Sequence, residues 1–146
     1  ILWCQLKKLS SSCYIEMALL NPLFEEIGKN FTEQYYAMFD NPGTRQNLAP
    51  MYNMDQSFMT FEGVRLSGRE KIMEKLANLK FQKIQRAITT IDSQPMYDGG
   101  VLINVLGQLK TDDDPPLGFS QVFVLKPVEA SFFIQHDVFR LNIHHN

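Results

Sequence analysis

Cysteine is nearly absent: two occur in 146 residues, Cys4 and Cys13, and both precede Met17. Nothing after that point can form a disulfide or a thiolate metal site, so the core is independent of redox state. Histidine is as scarce, with only His136, His144 and His145. Adjacent His144 and His145 would project to opposite faces of a strand, which suits neither a shared metal nor a shared base. They read as solvated side chains. No apolar run approaches the roughly 18 to 20 residues that a membrane span needs. Residues 1–16 have too short an apolar patch, with Lys7 and Lys8 on its wrong side, for a signal peptide. The net charge of −2 comes without a concentrated basic stripe, which argues against nucleic acid as the partner. No nucleophile elbow or glycine-rich phosphate loop is present, since Gly99-Gly100 sits between strand-like runs and does not lead into a helix. The run Asp112-Asp113-Asp114 lacks the alternating spacing and distant Glu of a calcium-binding loop. On composition it is a solvated turn. These absences leave no expectation of an enzyme, a cofactor or a metal, and a cytosolic or nuclear protein fits best.

What is present is aromatic: eleven Phe and five Tyr against one Trp, within a 45% apolar chain. Such a count needs either an aromatic interior or aromatic-lined surfaces. The length suits one domain, and no linker composition argues for two. Residues 1–16 begin without Met and are followed by Met17, so they are expected to be an extension, with 17–146 as the single domain. Asn21 and Pro22 open a helix in which Phe24, Ile27, Phe31, Tyr35 and Phe39 recur at spacings of three and four. Asp40-Asn41-Pro42-Gly43 stops it, and Thr44 can cap a short second helix using Leu48, Met51 and Tyr52. Two short strands, 57–61 and 64–67, flank a Glu62-Gly63 hairpin turn, and 69–79 returns to helical period.

Beyond Phe81 the texture turns to β-branched and aromatic runs at 84–91, 101–109, 117–125 and 132–143, separated by turn residues. Early helices and late strands predict an α+β domain, with about three helices covering one face of a strongly bent antiparallel sheet. In the last strand, alternation points Phe132, Ile134 and Val138 one way and Phe133, Phe139 and Leu141 the other, so both faces carry apolar residues. Helices can cover only one. The uncovered face predicts a homodimer joined sheet to sheet.

The stretch Asn21-Pro22-Leu23-Phe24-Glu25-Glu26-Ile27-Gly28, with Phe31 and Gln34-Tyr35-Tyr36-Ala37-Met38-Phe39-Asp40, closely resembles the first helix of the nuclear transport factor 2 family. Further landmarks follow in order: Thr60 to Gly63, Phe81 to Gln85, Asp92 to Pro95, Gly107 to Lys110, Asp112 to Pro115, Gly118 to Gln121 and Phe139 to Leu141. They cover Met17 to the C-terminus.

The resemblance implies a cone of helices wrapped by a bent sheet that dimerises through the sheet. It also implies a non-enzymatic carrier that binds the GDP-bound GTPase Ran and phenylalanine-repeat nucleoporins, moving between cytoplasm and nucleus and enriched at the nuclear pore and envelope. By the same resemblance, Phe61 and Glu62 frame a cavity mouth, Asp112 and Asp114 supply acids for basic residues of Ran, and Leu79, Ile84, Leu117, Phe119 and Phe139 line or support an apolar hollow. That hollow receives one aromatic side chain of the partner. Phe24 matches the nucleoporin-binding aromatic, although it reads equally as a core residue of an amphipathic helix. Two positions depart from the family pattern. Phe61 stands where members often carry Trp, and Arg86 where some carry His, at a possible dimer interface. Related adaptor subunits in RNA export and scaffold interaction domains share the fold, as do cavity enzymes that use an Asp base with a Tyr and a protonated Asp; no such acid set can be placed in the hollow from sequence. The carrier reading requires the hollow to be open, with the aspartate turn at its lip.

Overall fold

The computed structural model describes residues 20–81 and 83–144. The extension 1–16, with Cys4 and Cys13, and His145 lie outside the described residues. Helix α1 spans Phe24–Phe39, a 3-10 helix spans Arg45–Met51, and helix α2 spans Arg69–Ala77. The strands are β1 Phe58–Phe61, β2 Val64–Ser67, β3 Ile84–Pro95, β4 Val101–Thr111, β5 Leu117–Val128 and β6 Ser131–Leu141. They form one sheet in the order β2-β1-β6-β5-β4-β3.

The last four strands make the expected antiparallel meander. One pairing departs from it: β1 runs parallel to β6. Adjacent strands joined by tight turns must be antiparallel, but β1 reaches β6 from the far side of the chain and is free of that constraint. The β1–β2 turn is as read from sequence, with Glu62 and Gly63 both at positive φ, 49° and 82°, as a type I′ turn requires.

Helix α1 starts at Phe24, and the Asn21 Oδ1 accepts from the Leu23 N–H at 2.9 Å just ahead of it. Its deepest side is Gly28, Thr32, Tyr35, Tyr36 and Phe39, while Phe24, Ile27 and Phe31 are half-buried flanks. Gly28 is required by proximity. A Cβ there would lie 2.0 Å from Ser93 Oγ, so the helix rests almost directly on β3. Proline inside the second helix is tolerated because the element is a 3-10 helix of seven residues.

Two bulges set which side chains enter the core. The register of β3 shifts between Ile88 and Thr90, and that of β6 opposite Val124 and Leu125, leaving Gln135 as the extra residue. The second shift corrects the alternation read from sequence. Ile134 and Phe139 both face the core, at 1% and 7% exposure, whereas a regular strand would have put them on opposite faces. The outer face, which no described helix covers, carries Phe58, Leu106 and Val138, all more than 40% exposed. His136 belongs to that face too, its ring stacked on Phe58 at 5.8 Å. No helix among the described residues is long and apolar enough to cross a membrane.

Candidate functional site

Concave on its inner side, the sheet leaves space between its strand ends and the C-terminal half of α1. A cavity of about 260 Å³ opens there. Inward-facing positions build it: Ile84 and Arg86 from β3, Leu109 and Thr111 from β4, Leu117 and Gln121 from β5, and Phe139 and Leu141 from β6. Tyr35 and Phe39 close it from the helix, Phe81 from the β3 approach, and Phe61 and Glu62 from the hairpin. Among the described residues no side chain plugs it.

An aromatic stack runs along one wall. Phe61 lies on Phe139 with ring centroids 4.8 Å apart, Phe139 on Phe119 at 6.0 Å, and the Arg86 guanidinium 4.8 Å from the Phe119 ring. Arg86 also sits 4.0 Å from the Tyr36 ring and forms a 2.7 Å ion pair with Asp40. Its side chain is 5% exposed. Arg86 is therefore a wall residue on the inner face, which corrects the expectation of a charge at a dimer interface.

Acids reach the same space from two turns. Glu62 is fixed by accepting the Leu141 N–H. Asp114 lies in the turn after β4, where its N–H bonds the Thr111 carbonyl at 3.0 Å and Thr111 Oγ1 donates to its Oδ2 at 3.4 Å. Asp112 is not in the wall. Its Oδ1 accepts from the Lys83 N–H at 2.9 Å and its own N–H bonds the Lys83 carbonyl at 2.8 Å, which ties the acidic turn to the start of β3. Among the described residues no group of acids, histidines or cysteines could hold a metal.

Of the nine residues expected around this hollow, Phe61, Glu62, Ile84, Asp114, Leu117 and Phe139 line it. Phe119, 2% exposed, supports it from behind through the stack. Leu79 does not line it: it lines a separate groove with Pro42, Ala49 and Met73 and packs against the core. Phe24 is half-buried against the core beside an exposed Leu23.

Sequence reading missed the polar base. Fully buried Asp137 accepts from Gln121 Nε2 at 2.8 Å and from the Tyr52 and Tyr35 hydroxyls at 2.8 and 3.3 Å. Tyr36 in turn donates to Gln121 Oε1 at 2.8 Å. The available signal was a Gln and an Asp at core positions of two apolar strands facing a helix with paired tyrosines. Burial pushes the Asp137 carboxyl from 3.8 up to about 6, against the hydrogen bonds from Gln121, Tyr52 and Tyr35 that favour the anion. Burial likewise pushes the three tyrosine hydroxyls above their ordinary range, keeping them neutral donors. Because Tyr35 and Gln121 stand in the wall with their polar groups committed to Asp137, the carboxyl does not itself face the cavity.

A folded-state value raised above the unfolded one means that the native protein holds this proton more tightly. The associated stability is present below about pH 4 and is lost as pH rises through about 6. Wild-type protein should therefore lose stability relative to Asp137→Asn between pH 4.5 and 7.5 in urea denaturation. Parallel curves for the two proteins would remove the role given to the carboxyl.

Residues 27–141 match the nuclear transport factor 2 (NTF2) domain. The chain is 49% identical over 130 residues to a Caenorhabditis elegans protein named "Probable nuclear transport factor 2", an alignment covering 86% of this chain and 98% of that one. The solved structure of nuclear transport factor 2 from Cryptosporidium parvum superposes with a TM-score of 0.78 at 41% identity, covering 84% and 98% of the two chains. A hexachlorocyclohexane dehydrochlorinase from Novosphingobium barchaimii superposes at 0.65 with 12% identity over 83% and 88%, a likeness of fold alone.

Proposed function

The chain belongs to the nuclear transport factor 2 family, and from that premise we propose that this nuclear transport carrier binds the GDP-bound GTPase Ran, its cavity taking one aromatic side chain of the partner. The observation that carries the reading is an open apolar hollow with Glu62 and Asp114 in its wall. A pre-formed apolar hollow can draw roughly 2 kcal/mol or more from a single buried aromatic anchor, whereas exposed ion pairs add about 0.2 to 1 kcal/mol each and chiefly steer encounter. Within this division Phe61, Ile84, Leu117 and Phe139 grip, Phe119 supports, and Glu62, Asp112 and Asp114 aim. Leu79 lies outside the contact. Selectivity for the GDP form needs no phosphate contact, because a GTPase switch segment that rearranges on GTP binding withdraws the anchor. The protein performs no reaction.

Two further surfaces belong to this reading. Phe24, with Leu23 exposed beside it, receives phenylalanine repeats of nucleoporins, each contact weak and many copies available, which gives retention without slow release. The uncovered outer face of the sheet joins two copies. A carrier of this kind resides in cytoplasm and nucleus and concentrates at the pore.

A pull-down with GDP- and GTP-loaded Ran tests the proposal. The GDP form should be retained preferentially, and Asp112→Asn combined with Asp114→Asn should weaken it about fivefold at physiological salt. Equal retention of both nucleotide forms, or no loss in the double variant, would count against the assignment. Phe24→Ala should reduce retention on nucleoporin repeats while leaving Ran-GDP binding unchanged. A fall in stability without loss of repeat binding would return Phe24 to the core.

A further inference from the structure

The two turns that reach the cavity differ in charge. They come out at the same end of the sheet with only β6 between them, because Phe61 pairs with Phe139 in parallel and Leu141 pairs with Phe119 near the start of β5. Two strand spacings, about 10 Å, separate β1 from β5. At the β1–β2 turn Glu62 meets two cations. The Lys75 Nζ, from the last turn of α2, lies 5.5 Å from the centroid of the Phe61 ring, and a Cβ on Gly63 would lie 3.6 Å from Arg140 Nη2. In the β4–β5 turn the balance is reversed, with Asp112, Asp113 and Asp114 outnumbering the flanking Lys83 and Lys110.

Lys75 is free to act on a guest. It is half-buried, and neither it nor Arg140 has an ion-pair partner among the described residues. The buried polar atoms without a hydrogen-bond partner among those residues are Arg45 Nη2 and Arg86 Nη1, so the Lys75 Nζ, which also lacks one, is open to solvent. Its stem packs along an aromatic ring, and a cation suits the end of a helix. Neither property is indifferent to what docks, because Phe61 is itself in the cavity wall. A ring entering the hollow brings its neighbours in sequence within reach of the Nζ. If those neighbours were only basic, drawn by Glu62 and Asp114, Lys75 would repel them and cost affinity. A carboxylate among them turns the same lysine into an attraction.

We propose that Lys75 is a specificity residue that takes a carboxylate carried by the partner beside its aromatic anchor. The docking segment is then of mixed charge, acid toward the β1–β2 turn and base toward the β4–β5 turn, and enters in one orientation. This rests on the carrier reading above and adds to it the chemistry of the partner's segment.

Equilibrium titration of Ran-GDP against the full chain tests it, since the sign of the effect separates the alternatives. Lys75→Met keeps a stem on the Phe61 ring and removes the charge. It should weaken binding about fivefold at physiological salt and hardly at all at about 0.5 M, where exposed charges are screened. Lys75→Arg should keep wild-type affinity, and Lys75→Glu should lose about twentyfold, as repulsion joins the lost attraction. A segment with basic residues alone gives the opposite order, Lys75→Met binding tighter than wild type and Lys75→Glu tighter still. A lysine that serves only the helix end and the ring gives lower stability in urea with unchanged affinity. Either result overturns the proposal. Exchanging the Asp and Glu residues of Ran for their amides one at a time identifies the partner group: one exchange should cost about fivefold against wild type and nothing against Lys75→Met. Finding no such carboxylate is equally fatal. A wild type that does not retain Ran-GDP removes the carrier reading together with this one, whereas a wild type that binds as well as Lys75→Met removes the role of the lysine alone.

Discussion

Asp40→Ala is expected to lower the unfolding free energy by about 3 kcal/mol or more, among the largest losses any single substitution in this chain should cause. Arg86 is held by Asp40 through two guanidinium nitrogens, at 5% and 19% side-chain exposure. Removing the carboxylate leaves the guanidinium charge between the Tyr36 and Phe119 rings without its partner. The isolated ion pair is worth much less than this, because forming it costs the desolvation of both groups. Urea denaturation distinguishes the two quantities: Asp40→Leu with Arg86→Met should recover most of the loss, since neither partner is then left unpaired. A single-variant loss under 1 kcal/mol, or a double variant no better than the single, would contradict this account. Ran-GDP affinity should fall with the single variant, because Arg86 ends the stack that runs through Phe119 and Phe139 to Phe61.

That pair also marks the limit of what the residues reveal in order. Periodicity located α1, the short second helix, α2 and the four long strands, because each follows from spacing within a few residues. Asp40 and Arg86 are 46 positions apart, and one reads as a helix stop and the other as a strand charge. Only the fold makes them neighbours. The same holds for the Asp137 cluster, whose members come from α1, the residue after the 3-10 helix, β5 and β6. Parity was the other obstacle. Alternation assigns faces only while a strand stays regular, and the extra residue at Gln135 moves Ile134 to the face of Phe139. The parallel β1–β6 pairing was equally hidden, since nothing local reports the direction in which a hairpin docks on a distant strand. Six of the residues named by resemblance line the cavity, while Leu79, two positions beyond the end of α2, lines a separate groove.

The outer face offers the other large effect. Val122 and Val138 lie directly across from each other on β5 and β6, and Val138 is 44% exposed in the single chain. Phe58, stacked on His136, extends the same surface to β1, and Leu106 extends it to β4. A face of this kind on an isolated sheet would be an association hazard, whereas paired with a second copy it is an interface. A two-fold arrangement enters every substitution twice. Val138→Glu should therefore bury two unpaired carboxylates at the junction, weakening the dimer by at least about 5 kcal/mol, roughly a thousandfold or more in Kd. Sedimentation at micromolar concentration should find wild-type dimer and variant monomer, with the circular dichroism of the two alike because Val138 lies outside the core of each copy. Retention of Ran-GDP by the monomer follows from the cavity being built within one chain, from β1, the meander and α1. Wild-type protein sedimenting as a monomer, or a variant that stays dimeric, would assign this face to something other than self-association.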